Sequence, residues 1–430
     1  MRFSNKKVLS FILVLVLTLT LAFSVNIGIG FAAGSTPTYT DVPEDFWAYE
    51  AITKWSTEEY RILQGVGGGK FEPQGSITAE QLALLNGHIF GMADEDVTYE
   101  GNGRRNITRA EAVAVIAQAF GIEPLNNPTS TFADNASIPR EYRGYVNAMK
   151  EAGYVQGIGN NIFDPNDTYT RAQALQMVYN MITDITDKNA SKVEASDNYI
   201  IRTAGVQLKD STIDGNLIIG HGVGDGKVTL DNVTVNGKLI VYGGGSNSIV
   251  VRGKSNIGIV EIFKTVGEAV RIKVEGSAVV KTVTVTENSK AIVNGAITTL
   301  TVEGNSSVEL QSARVVDVAV NGSDVTVNVD SASTVKTVTI DAADVKLTGN
   351  GKVENAVVTD NAESGVVVDT KGTKVDVAEG AGDVTNSSGK VVAESGKTST
   401  TPGTSSSSSS WPSGGSTNTP GGSGSGSGTR

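Results

Sequence analysis

The run VKTVTV at Val280–Val285 recurs as ITTLTV at Ile297–Val302 and as VKTVTI at Val335–Ile340. With looser copies, the last apolar position of the pattern occurs nine times, at steps of 17 to 23 residues, between Ile219 and Val377. One such unit is too short to bury its own apolar face, whereas a stack of nine units buries a continuous core. The pattern therefore predicts a parallel β-helix, or β-solenoid, over residues 198–394, with tandem β-sandwiches as the alternative.

The preceding segment is helical in pattern and contains an internal repeat. Three anchors, an Asp, the Phe of a Phe-x-Pro motif and a Thr, recur at nearly equal spacing: Asp41, Phe71 and Thr78, then Asp134, Phe163 and Thr170. Three helices are predicted to begin with a capping box, in which Thr and a following Gln or Glu satisfy each other's backbone N–H. These boxes are Thr78–Gln81, Thr108–Glu111 and Thr170–Gln173. The chain is thus predicted to be an α + β multidomain protein.

These motifs, with ITRAE at Ile107–Glu111, resemble the S-layer homology domain. The resemblance covers about residues 34–183, as repeats over 39–92, 93–130 and 131–183. It implies a pseudo-threefold helical unit whose grooves hold a secondary cell-wall polysaccharide, often one that bears pyruvate ketals. It also implies self-association into a surface layer. This sequence departs from the family pattern in two ways. The motif arginine is Ala79 in the first repeat, and the middle repeat is too short for a first helix. At least one of the three grooves is therefore predicted to be degraded.

Two arginines are the strongest candidates for ligand contact. Arg109 and Arg171 fall in the first turn of their helices, where the positive end of the helix dipole disfavours a cation. An arginine beside free backbone N–H groups makes a favourable site for a carboxylate on a sugar. The alternative is that each arginine points into water or pairs with an acid such as Glu111 or Asp167.

Further candidates accompany the arginines. Trp47 fits either a sugar-stacking platform or a core position on its helix, and Asp41 fits either a ligand to sugar hydroxyls or a cap for that helix. The full predicted set of glycan-binding residues is Asp41, Trp47, Thr108, Arg109, Glu111, Asp134, Thr170 and Arg171.

Composition disfavours most other functions. The 430 residues include no Cys and only two His, His88 and His221, and the formal net charge is −11. Disulfides and thiolate metal sites are therefore excluded, and nucleic acid is disfavoured as a partner. The turn Gly220–Gly226 superficially suggests phosphate binding, but it joins two strands and opens no helix. We predict a structural protein of the cell surface, anchored noncovalently through the helical repeats and displaying the β-solenoid, with no catalytic residue, metal or cofactor. The alternatives are a wall-anchored polysaccharide lyase or hydrolase, or an adhesin, that uses the β-solenoid.

The remaining segments are predicted to direct export, to link the two folded parts and to form a tail. A basic start, an apolar run and small residues predict a signal peptide at 1–33, with an uncleaved membrane anchor as the alternative. The mature protein is therefore expected to be secreted, to lie in the bacterial cell wall and to leave the membrane after cleavage. Residues 184–197 are predicted to be a linker. The Ser/Gly-rich residues 395–430 are predicted to be a disordered tail.

Overall fold

The computed structural model describes residues 38–99 and 101–403. The predicted signal peptide and the tail from residue 404 lie outside the described residues. The N-terminal part is helical and contains α1 (Tyr49–Trp55), α2 (Ala79–Ile89), α3 (Arg109–Ala119), α4 (Arg140–Glu151) and α5 (Arg171–Met181). Within the described ranges, no helix has both the length and the apolar character needed to cross a bilayer.

The helical module is organised around a ring of three backbone hydrogen bonds. The N–H of Ile77 donates to the carbonyl of Tyr169 (2.7 Å), Tyr169 donates to Ile107 (3.0 Å), and Ile107 donates to Ile77 (3.2 Å). Each residue immediately precedes the Thr that caps α2, α3 or α5. The ring therefore brings the N-terminal ends of these three central helices together with pseudo-threefold symmetry.

The first helices of the repeats pack outside this centre, and one of them is missing. Helix α1 packs against α5, and α4 packs against α3. The middle repeat has only a 3₁₀ turn, Asp94–Asp96, where a first helix would lie. The prediction that residues 93–130 hold an incomplete repeat agrees with this arrangement.

From Ile182 onward the described chain is a β-solenoid of 22 strands. The strands are β1 (Ile182–Thr186), β2 (Ala190–Ser191), β3 (Glu194–Ala195), β4 (Asn198–Ile201), β5 (Gln207–Ile213), β6 (Leu217–Ile219), β7 (Thr229–Val241), β8 (Val250–Arg252), β9 (Asn256–Ile262), β10 (Val270–Val274), β11 (Val279–Val285), β12 (Lys290–Val302), β13 (Ser307–Val320), β14 (Thr326–Val329), β15 (Thr334–Ile340), β16 (Lys346–Gly349), β17 (Lys352–Val358), β18 (Val367–Val368), β19 (Lys374–Val377), β20 (Val384–Thr385), β21 (Val391–Ala393) and β22 (Thr398–Thr400).

The predicted pattern sets the register of the solenoid. Val283 pairs in parallel with Leu300, Leu300 with Val318, and Val318 with Val338. These side chains are buried in one continuous apolar interior, because stacked coils place equivalent inward residues in contact. The parallel β-helix prediction is confirmed, and the alternative of tandem β-sandwiches is wrong.

The predicted boundaries of the solenoid need two corrections. Residues 184–197 are not a linker, because strands β1 to β3 within and beside this segment pair with β4 and β5 and build the first coil. The C-terminal limit also lies beyond 394, since β22 pairs antiparallel with β19. Both errors arose at end coils, where the apolar repeat is too short to detect.

The helical module packs on the outer wall of the first coils. Ile200, Ile218 and Ile240 are paired in successive strands, point away from the solenoid interior and are buried in the helical core. The next residues of the same outward column are Glu261, Thr284 and Thr301. Over these six positions, the column is apolar at the three that the helices cover and polar at the next three.

Polar groups of the solenoid donate hydrogen bonds to carbonyls at the C-terminal ends of the central helices. The last carbonyls of a helix lack partners within that helix. The carbonyl of Phe90 accepts from the N–H of Gly222 (2.9 Å), that of Ala119 from the hydroxyl of Tyr242 (3.0 Å), and that of Met181 from the amide of Asn198 (2.8 Å). All three central helices therefore end on the solenoid.

This close approach explains the glycine-rich turn at 220–226. A Cβ on Gly220 would lie 2.5 Å from the carbonyl oxygen of Phe90, and one on Gly222 would lie 2.3 Å from that of Gly91. Contact with the end of α2 thus accounts for glycine at these two positions. His221, in the same turn, stacks on Tyr242 with ring centroids 5.0 Å apart.

We expect Ile218→Ala to lower the free energy of unfolding by about 2–5 kcal/mol, the usual range for emptying a buried apolar site. Chemical denaturation followed by tryptophan fluorescence measures this loss. The matched control is Thr301→Ala, in the same outward column but beyond the helices, which should change the free energy by less than about 0.5 kcal/mol. Equal losses in both variants would contradict the packing described.

Candidate functional site

Two loops, each ordered by an aspartate, form the outer part of the candidate site. The Asp41 carboxylate accepts from the backbone N–H groups of Phe71 (2.9 Å) and Glu72 (2.8 Å). In the third repeat, Asp134 accepts from Phe163 (2.8 Å) and Asp164 (2.8 Å). The recurring spacing of Asp and Phe in the sequence therefore reflects a repeated clamp on the Phe-x-Pro loop.

The clamp changes the acidity of both aspartates. Burial raises the pKa of Asp41, but the backbone hydrogen bonds from Phe71 and Glu72 outweigh burial, and the pKa lies below the ordinary value of 3.8. Asp134 behaves in the same way, with hydrogen bonds from Phe163 and Asp164. Both loops are therefore held most tightly when the carboxylates are ionised.

Each loop is bound by an arginine from a different repeat. Nε of Arg171 donates to the carbonyl of Phe71 (2.9 Å) and one Nη to that of Gln64 (2.6 Å). The guanidinium carbon lies 4.7 Å from the centroid of the Phe71 ring. The arginine of the third repeat thus joins the loop of the first repeat, 100 residues earlier in sequence.

Arg109 repeats this geometry one step around the pseudo-threefold axis. Its Nε donates to the carbonyl of Phe163 (2.8 Å), one Nη lies 3.4 Å from the carbonyl oxygen of Gln156, and the guanidinium lies 5.0 Å from the Phe163 ring centroid. The arginine of the middle repeat thus joins the loop of the third.

Both guanidiniums are buried, and neither forms an ion pair with a carboxylate of the described residues within 4.0 Å. Arg109 is 5% exposed and Arg171 is 3% exposed. The ion pairs of arginine in the described residues, taken to 4.0 Å, involve Arg61, Arg105, Arg202 and Arg252. Burial lowers the pKa of the Arg171 guanidinium from its ordinary value, although the nearby carboxylates of Glu72 and Asp41 act in the opposite direction. Each guanidinium is held by loop carbonyls and lies near the aspartate that clamps the same loop, and neither Nη1 donates a hydrogen bond to the described residues.

The arginines do not sit beside free helix N–H groups as the sequence suggested. The N–H of Arg171 donates to Gly75 and that of Ala172 to Pro73, while those of Arg109 and Ala110 donate to Asp167 and Pro165. The alternatives were also wrong, because neither arginine points freely into water or pairs with Glu111 or Asp167. Contact between repeats across the threefold centre was not visible in the local sequence.

The third position of the ring lacks both parts of the site. Ala79 replaces the arginine, and its N–H donates to the carbonyl of Arg105 (3.0 Å) in the shortened middle repeat. By symmetry, the loop missing from this repeat is the one that an arginine at position 79 would bind. The arginine missing from the first repeat and the loop missing from the middle repeat therefore belong to the same position of the ring.

The other predicted residues have structural partners or remain exposed. Thr108 and Thr170 cap their helices. In the box that begins at Thr108, the Thr hydroxyl accepts from the N–H of Glu111, but the Glu111 carboxylate pairs with Arg105 and does not bind the N–H of Thr108. Asp41 does not cap α1, since its oxygens hold the loop. Trp47 is 55% exposed and precedes α1, so its interpretation as a core residue is wrong.

Sequence reasoning missed four residues that frame the arginines. Gln64 and Gln156 supply carbonyl acceptors, and two positions later Val66 and Ile158 are 47% and 60% exposed. The signal was present in the sequence, since the runs QGVG and QGIG occupy equivalent positions in the two repeats. Each loop that binds an arginine therefore has an exposed aliphatic residue two positions after its carbonyl acceptor.

The family model for the S-layer homology domain matches residues 38–83 and 131–175. These are the two complete repeats, each with its aspartate, its loop and the start of its second helix. The helical module is an S-layer homology domain. The family model does not match the middle repeat, in agreement with its missing helix and loop.

Two curated relatives share part of the chain. An S-layer protein, sap, of Bacillus anthracis is 25% identical over 163 residues, which cover 37% of this chain and 16% of the relative. An amylopullulanase of Thermoanaerobacterium thermosulfurigenes is 24% identical over 178 residues, covering 34% of this chain and 9% of the enzyme, in the S-layer homology region. The chain thus spans less than a fifth of either relative, and the part shared with the amylopullulanase lies in the surface-anchoring module.

We expect Asp41→Asn to destabilise the S-layer homology domain by about 1–3 kcal/mol at pH 7, because a hydrogen-bonded charge is lost. A group with a depressed pKa stabilises the fold above its unfolded pKa, and this contribution disappears as the pH falls through the folded pKa. The difference between parent and variant should therefore shrink as the pH falls below about 3.8. Thermal unfolding followed by near-ultraviolet circular dichroism tests this.

The control for this experiment is Asp45→Asn, an exposed acid in the same segment. It should unfold like the parent at every pH. A constant difference between Asp41→Asn and the parent down to pH 2 would contradict the role assigned to the charge.

Proposed function

We propose that the S-layer homology domain holds the protein noncovalently on an anionic secondary polysaccharide of the bacterial cell wall, with Arg109 and Arg171 as the charged contacts. The single observation that supports this proposal is the pair of buried guanidiniums that form no direct ion pair and whose Nη1 groups donate no hydrogen bond within the described residues. A carboxylate of the glycan would accept from the Nη1 groups and pair with the guanidinium charge.

The surroundings of each arginine favour a particular type of carboxylate. Val66 and Ile158 are exposed aliphatic side chains in the same loops as the arginine-bound carbonyls. A carboxylate attached to a carbon that also bears a methyl group, as in a pyruvate ketal, would satisfy both the cation and the aliphatic surface. We assign sugar stacking to the exposed Trp47, whereas Thr108, Thr170, Glu111, Asp41 and Asp134 support the structure of the site.

Helix direction supports the proposed anchoring geometry. The arginines lie at the N-terminal ends of α3 and α5, and the C-terminal ends of the same helices contact the solenoid. Each central helix has 11 residues and is therefore about 16 Å long. A wall polymer bound at the arginines would leave the solenoid projecting from the opposite end, as suits an exported protein in a surface layer.

We expect Arg109→Ala and Arg171→Ala each to weaken binding about 10- to 100-fold, because each removes a charged hydrogen-bonding group worth about 1.5–3 kcal/mol. The double variant should not sediment with wall preparations. The parent should sediment with intact walls and remain soluble when the secondary polymer has been stripped.

The matched control is Arg105→Ala, an arginine of the shortened repeat that pairs with Glu111. It should bind as the parent does. The double variant Arg109→Lys with Arg171→Lys retains both charges, so it separates the effect of charge from that of loop structure. It should bind more tightly than the double-alanine variant but less tightly than the parent. Full binding by a folded double-alanine variant would contradict the proposal.

The third ring position provides an independent test. We expect Ala79→Arg to change wall affinity by less than about twofold, because the middle repeat has no aspartate-clamped loop to position the new guanidinium. Equilibrium sedimentation with wall preparations measures the change. A gain as large as the loss in Arg171→Ala would show that a cation alone is sufficient.

A further inference from the structure

A groove crosses the outer wall of the solenoid, beyond the coils on which the helices pack. It has a volume of about 510 Å³ and extends over β11, β12, β13, β15 and β17. Two outward columns of side chains border it. The first contains Val279, Ala296, Arg314 and Thr334, and the second contains Thr298, Val316, Lys336 and Glu354. We call this surface the solenoid groove.

The solenoid groove carries unpaired positive charge. Arg314, Lys336 and the adjoining Lys281 are exposed, and none of them forms an ion pair within 4.0 Å in the described residues. Glu354 is the one acid among the described residues that line the groove. It pairs with Lys352 (2.8 Å), and this contact, aided by Lys336, lowers the pKa of Glu354. The formal net charge of the chain is −11, so a cluster of unpaired cations on its surface points to an anionic partner.

The turns that follow the same five strands form an acidic surface. They are residues 286–288, 303–305, 321–324, 341–344 and 359–365, and they contain no Lys or Arg. Five of their acids are exposed and form no ion pair within 4.0 Å in the described part of the chain: Glu287, Asp324, Asp344, Asp360 and Glu363. We call this surface the acidic ridge.

The acidic ridge is as regular as the wall that bears it. The N–H of Asn288 donates to the carbonyl of Gly304 (3.1 Å), and that of Asn305 donates to the carbonyl of Ser323 (2.8 Å). Such bonds hold successive turns in register, so the ridge and the groove repeat at the same strand spacing of about 4.8 Å. Over their five coils, both surfaces are therefore about 19 Å long.

The ridge and the groove of one chain do not meet. In β11, residues 282–285 separate Lys281 from the ridge, which corresponds to about 13 Å of extended chain. Both surfaces are fixed to the wall by hydrogen bonds between coils, so neither folds over onto the other. A second copy, by contrast, offers the groove an anionic surface that matches it in charge, length and repeat.

We propose that the acidic ridge of one copy packs into the solenoid groove of a second copy, so that exposed ridge acids face Arg314 and Lys336. The contact also covers Val279 and Val316, which are 45% and 41% exposed. Because the ridge and the groove are different surfaces, each copy keeps one of them free for a further partner, and the contact builds rows or rings of solenoids. It does not involve the wall-binding arginines.

Sedimentation velocity of the full chain, without wall polymer, tests this contact. We expect the parent to associate as its concentration rises, and added salt to weaken the association because it screens surface charges. The groove variant Arg314→Glu with Lys336→Glu and the ridge variant Asp324→Lys with Asp344→Lys should each associate at least about 10-fold more weakly, since like charges then face each other. An equimolar mixture of the two variants should recover the association, because every ridge then meets a groove of opposite charge.

The matched control is Lys209→Glu with Lys227→Glu, which makes the same change of charge at exposed residues of earlier coils. It should associate as the parent does. A parent that stays monomeric, a reversed variant that associates like the parent, or a mixture that does not recover would overturn the proposal. Binding of a monomeric parent to polygalacturonate, lost in Arg314→Glu with Lys336→Glu, would also overturn it and assign the groove to an acidic glycan.

Discussion

The ring of backbone hydrogen bonds between Ile77, Tyr169 and Ile107 is the constraint on which the S-layer homology domain depends. It fixes three helix starts at one point, so residues that follow each start meet the loop of another repeat rather than their own. The arginine-to-loop contacts, at separations of 54 and 100 residues, follow from this symmetry. The loss of one loop and of the arginine at position 79 is the expected result, because neither partner has a function without the other.

The common direction of the three helices also separates the two ends of the domain. Their N-terminal ends carry the buried cations, whereas their C-terminal carbonyls accept hydrogen bonds from the solenoid. The apolar column of Ile200, Ile218 and Ile240 adds a second contact that leaves little freedom between domain and solenoid. A bound wall polymer would therefore determine the direction in which the solenoid projects, since no flexible segment separates the two.

The sequence predicted the elements well and their contacts poorly. Spacing of apolar residues identified the solenoid, and Thr-x-x-Gln runs identified the helix starts, because both signals are local. The docking face was also encoded, since Leu217–Ile219 and Leu239–Val241 have an apolar middle residue where the next three coils have Glu261, Thr284 and Thr301. These apolar residues could be recognised as a docking face only once the structure showed that the helices cover them. The role of Asp41 depends on a loop that folds back over about 30 residues, which periodicity does not reveal.

We propose that the anchor acts through two arginine-bound loops at one end of the S-layer homology domain. Hydrogen–deuterium exchange of the full chain, with and without purified wall polysaccharide, tests it most directly. We expect slower exchange in residues 64–73 and 156–165 on addition of the polymer, and no change in residues 101–106 or in the solenoid. Protection confined to residues 101–106 or to the solenoid, with both loops unchanged, would contradict it.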